Sequence, residues 1–65
     1  MITVKNPAGW SFEWPERSDF IEIYHNNASY ADQPVEVLYA GDLRYNESEL
    51  KRIANESPDY GRSYA

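Results

Sequence analysis

Sixty-five residues with no cysteine, one histidine and a net charge of −5 make a single small domain that has neither disulfides nor a thiolate or multi-histidine metal site to staple it. The acidic balance also speaks against direct nucleic-acid binding, which draws on clustered Lys and Arg. The core has to come from the aromatics, which make up 15% of the chain and bury roughly 150–250 Å² each.

The chain opens on two alternating segments, Ile2-Thr3-Val4-Lys5 and Trp10-Ser11-Phe12-Glu13-Trp14, the period of half-buried strands. Between them, Pro7 suits the first corner of a type I turn and Gly9 the left-handed residue that follows in a three-residue hairpin loop. That loop pairs Asn6 with Trp10, Val4 with Phe12 and Ile2 with Trp14, so the apolar side chains share a face. A four-residue loop would split them, and the hydrophobic pattern therefore selects the shorter one.

Pro15 closes the second strand and Glu16-Arg17-Ser18-Asp19 reads as a turn. Phe20-Ile21-Glu22-Ile23-Tyr24 is a third strand rich in β-formers. Residues 26–34 read as the longest loop, and Val35-Glu36-Val37-Leu38-Tyr39-Ala40 as a fourth strand closed by Gly41-Asp42. Asn46 suits a helix N-cap with Glu49 three residues on, as in a capping box, and Tyr45 with Leu50 suits a hydrophobic staple. Leu50, Ile53 and Ala54 form an apolar stripe. Glu47–Lys51 and Arg52–Glu56 have i,i+4 spacing on the wet side, and Pro58 ends the helix. The expected architecture is α+β: about four antiparallel strands with one C-terminal helix on one face. The domain spans residues 1–57, and 58–65 form a flexible tail.

No cofactor and no catalysis are expected. His25 is the one general base of its kind and reads as a turn residue. The three glycines are dispersed at turns, without the clustering that cradles a phosphate. No run approaches the ~20 apolar residues of a transmembrane helix, and no leader is visible, so a cytoplasmic protein is expected. The three Asn-x-Ser triplets then read as turn and cap chemistry.

The charge is lopsided. Residues 1–43 carry all of the −5, and residues 44–65 are neutral. With Val35, Val37 and Tyr39 turned to the core, strand alternation puts Glu13, Glu22 and Glu36 on the outer sheet face together with Phe20, Tyr24 and Leu38. Glu16, Asp19, Asp32 and Asp42 then lie in the turns around it. Such a face fits a basic protein surface, including one that handles nucleic acid, whose phosphates the carboxylates would imitate. In size and charge, though in no motif, the chain resembles small viral accessory inhibitors, which would place it in a host cell. The alternatives are a self-associating scaffold that uses the aromatic-rich face or an edge strand, and a single-strand binder that uses Tyr60, Arg62 and Tyr64.

Overall fold

The computed structural model describes residues 1–27, 29 and 31–56. Four strands, β1 (Ile2–Lys5), β2 (Ser11–Trp14), β3 (Phe20–Tyr24) and β4 (Glu36–Tyr39), precede one helix, α1 (Glu47–Glu56). The sheet order is β1-β2-β3-β4, each strand antiparallel to its chain neighbour. This is the α+β architecture that the sequence predicts. The expected tail and the helix stop at Pro58 lie outside the described residues.

The first hairpin has the predicted register, with Ile2 opposite Trp14 and Val4 opposite Phe12. Gly9 takes the left-handed conformation at φ +86° and donates its N–H to the Asn6 carbonyl at 2.8 Å. Asn6 is the one buried polar residue among those described. Its Oδ1 accepts the Trp10 N–H at 2.9 Å, while its own N–H donates to the Trp10 carbonyl at 3.0 Å. The loop thus supplies hydrogen-bond partners for the backbone groups that it takes out of water.

The β2–β3 connection is a turn closed by the Ser18 N–H on the Pro15 carbonyl at 3.1 Å. Its third residue, Arg17, has φ +62°, where type II geometry favours glycine. A side chain in that region costs ~1–2 kcal/mol, and glycine returns part of this by loosening the unfolded chain. Arg17→Gly is therefore expected to stabilise the fold by about 0.5–1 kcal/mol, read as a higher urea midpoint at unchanged slope.

Trp10, Phe12, Trp14, Ile21, Ile23, Ala40, Leu50 and Ala54 form the buried core, with Ile2, Val4, Leu38, Leu43 and Ile53 packed on its margin. The helix lies over β1 and β2. The Asn46 cap is present, its Oδ1 accepting the Glu49 N–H at 2.9 Å. The return half of the expected capping box is replaced, because Glu49 Oε2 instead accepts from Arg52 Nη2 at 2.7 Å. Arg52 also bonds Glu56, and Lys51 pairs with Glu47, so each charged side chain of the helix has an opposite-charge partner, with Arg52 shared between two glutamates. Tyr45 packs edge-on against Trp14, ring centroids 5.1 Å apart, and donates its hydroxyl to the Trp14 carbonyl.

The fourth strand departs from expectation in one respect that matters. β3 pairs with β4 so that Ile21 faces Leu38, Ile23 faces Glu36, Glu22 faces Val37 and Phe20 faces Tyr39. Directly paired residues share a face. Leu38 and Glu36 therefore lie on the core side, and Val37 and Tyr39 on the outer side, the reverse of the predicted assignment. The anchor is Ala40. It is buried and its N–H donates to the Asp19 carbonyl at 2.6 Å, which fixes the parity of the strand. Glu36 is tolerated on the core side because β4 is an edge strand and its carboxylate stays exposed.

Candidate protein-binding face

One face of the sheet is buried under the helix and its surroundings, and the other is open. Across the middle of the open face runs the row Thr3, Glu13, Glu22, Val37. Lys5, Ser11 and Tyr24 form the row on one side, and Phe20 with Tyr39 the row on the other. Of the predicted site residues, Glu13, Phe20, Glu22 and Tyr24 are brought together here. Glu36 and Leu38 are not: both lie on the opposite side, Leu38 against the core. Their places are taken by Val37 and Tyr39, which strand alternation from Val35 turns inward. The acidic turn residues Glu16, Asp19, Asp32 and Asp42 are all exposed in the connections, as predicted.

The centre of this face is a like-charge pair. Glu13 and Glu22 stand directly opposite each other on the two central strands, both half-buried. No salt bridge to either occurs among the described residues. The base on this face, Lys5, sits on β1, diagonal to Glu13 across the β1–β2 pair, and makes no salt bridge with it. Like charges placed directly opposite on a sheet destabilise it, so the fold holds this pair at a cost.

Tyr24 donates its hydroxyl to Glu22 Oε1 at 2.9 Å. That hydrogen bond, then burial, then the negative charges of Glu22 and Glu13 hold the phenol above its ordinary value near 10. A raised pKa in the folded state means that the contribution is complete below pH ~10 and is lost as pH climbs through the folded value. Glu22→Gln is expected to return Tyr24 towards that ordinary value, read from its ring resonances in an alkaline NMR titration. Wild type is expected to lose stability above pH ~10 more steeply than Tyr24→Phe.

The apolar part is held in place as well as exposed. Phe20 (48%), Val37 (49%) and Tyr39 (64%) are open to solvent. The Phe20 and Tyr39 rings meet edge to face, centroids 5.7 Å apart at 69°. Tyr39 also lies across Gly41, where any side chain would collide with its ring. A ring seated on bare backbone and braced by a second ring has little rotamer freedom left to lose on binding. Gly41, which reads from sequence as a strand terminator, is the signal that points to this arrangement.

His25 does not join the face. It is half-buried, its ring tilted against Trp10 at 4.4 Å, and its Nδ1 accepts the Asn27 N–H at 2.8 Å, as suits a turn residue. No enclosed cavity and no group of three acidic, histidine or cysteine side chains placed for a metal occur among the described residues. None of their helices is long and apolar enough to cross a membrane. Comparison of the chain with protein-family models, curated proteins and solved structures finds no match.

Proposed function

We propose that the chain is a non-enzymatic binding module, an inhibitor or adaptor whose open sheet face occupies a basic surface on a partner protein, including one that otherwise holds nucleic acid. The observation that carries this reading is the unneutralised Glu13–Glu22 pair beside the exposed Phe20, Val37 and Tyr39. Apolar anchors next to charges of one sign are the composition of a specific interface. The anchors supply affinity, and the charges supply orientation and on-rate. Relative to the sequence expectation, the face has two mid-strand carboxylates instead of three and a larger aromatic component. The partner it fits is therefore basic with an apolar centre.

The chain immobilised on a resin is expected to capture one basic protein from a lysate at low salt and to release part of it at 1 M salt, where the Debye length is ~3 Å. Capture that ignores salt, or that is unchanged when Glu13 and Glu22 both become lysine, refutes the proposal. The self-associating alternative is disfavoured for this face, because two copies stacked through it would bring four carboxylates together. Sedimentation over a range of concentrations checks it, and a monomer throughout is expected.

A further inference from the structure

Among the described residues β4 is an edge strand, and its outer side differs from that of β1. β1 packs against α1 and carries Lys5, a residue type that commonly guards edges. β4 has no basic residue and presents Val37 and Tyr39, both exposed. The Ala40 N–H bonds the Asp19 carbonyl, so ladder alternation makes Leu38 and Ile21 the next hydrogen-bonded pair. The N–H and C=O groups of Val37 and Tyr39 then point away from β3, along the free edge.

We infer that this edge takes an extended basic segment of the partner as a fifth, antiparallel strand. This inference rests on the proposed function, and it specifies how the partner is read. Register determines what each position of such a strand would meet. A residue opposite Tyr39 extends the Phe20–Tyr39 row, and an aromatic suits it. A residue opposite Leu38 falls on the core side beside a half-buried leucine, and an aliphatic suits it. A residue opposite Val37 continues the row Thr3, Glu13, Glu22, Val37. An arginine there lays its stem over Val37 and carries its guanidinium to Glu22, one strand further in. A residue opposite Glu36 makes a direct cross-strand pair, favourable when basic. The expected segment, read from its N-terminus, is aromatic–aliphatic–basic–basic. A second copy of β4 does not supply it, since Val35–Tyr39 contains no base and would set glutamates near each other.

The probe is the capped peptide threonine–tyrosine–isoleucine–arginine–arginine–threonine, titrated into the isotope-labelled full chain. Amide exchange at Val37 and Tyr39 is expected to slow on saturation. N-methylation of the peptide's tyrosine and first arginine, whose N–H groups face β4, is expected to abolish binding. N-methylation of its isoleucine and second arginine, which face outward, is expected to leave binding in place. Exchanging both arginines for glutamate is expected to weaken binding at least about tenfold.

Strand addition is overturned by no binding, by equal effects of the two methylation patterns, or by protection of Val37 and Tyr39 that rises with protein concentration in the absence of peptide. Peptide binding that shifts the side-chain signals of Glu13, Glu22 and Tyr39 without protecting those two amides also overturns it, while leaving the open-face reading intact. Partner capture that ignores salt, or that survives lysine at both Glu13 and Glu22, is the separate failure of that reading.

Discussion

Lysine in place of Glu13 is expected to make the protein more stable and to make it lose its partner. The substitution turns the direct opposition of Glu13 and Glu22 into an opposite-charge pair, a change of about 0.5 kcal/mol in favour of the fold, or ~2–4 °C in melting temperature for a domain of this size. The same change removes one of two negative charges from the centre of the proposed interface and adds a positive one. Affinity for a basic partner is expected to fall about a hundredfold, within the range for losing one side of a desolvated charge contact. Glu22→Lys acts the same way on affinity, but it also breaks the Tyr24 hydrogen bond, so its stability gain is smaller. The double variant restores repulsion with the sign reversed and also lacks the Tyr24 hydrogen bond, so it is expected to fall somewhat below wild-type stability while binding nothing basic. Thermal melts and titration calorimetry on the three variants check this. A single variant less stable than wild type and equally able to bind refutes it. Stability and binding moving in opposite directions at one residue is the signature of a site kept for function.

Trp14→Ala is expected to leave the chain largely unfolded at room temperature. Trp14 is 1% exposed, its indole N–H donates to the Ser18 carbonyl at 3.0 Å, and Tyr45 both packs edge-on against it and bonds its carbonyl. It therefore joins the end of β2, the following turn and the approach to the helix. Truncating a buried tryptophan costs ~3–5 kcal/mol. A domain of this length has roughly 3–10 kcal/mol in all, with no disulfide in reserve. Loss of near-ultraviolet circular dichroism and of a cooperative urea transition is the expected readout. Trp14→Phe keeps a ring for Tyr45 and loses the Ser18 bond. It is expected to cost about 1–2 kcal/mol and to remain folded.

The central strands and the helix were legible because several local signals agree there. The apolar alternation, the Pro7–Gly9 loop chemistry and the pairing of Val4 with Phe12 all require one register. Asn46 and the Leu50–Ala54 stripe likewise agree on the helix start and its buried face. The existence of β4 was legible but its facing was not, because an edge strand outside the helix's cover has no strong inward side. Val35, Val37 and Tyr39 look like a core row, yet all three are exposed, and the burial that sets the parity belongs to Leu38 and the small Ala40. The same reversal exchanged Glu36 and Leu38 for Val37 and Tyr39 in the candidate face. Glu13, Phe20, Glu22 and Tyr24 kept their places because Phe12, Ile21 and Ile23, on either side of them in the chain, are fully buried.

The placement of α1 has a consequence for synthesis. Each strand pairs with the one made just before it, so every strand pairing is local in sequence. The helix comes after all four strands and packs back on the first. Until it arrives, Val4, Phe12 and their neighbours lack the cover that α1 gives to β1 and β2. A chain that stalls before Leu50 emerges is the form that chaperones and proteases would meet.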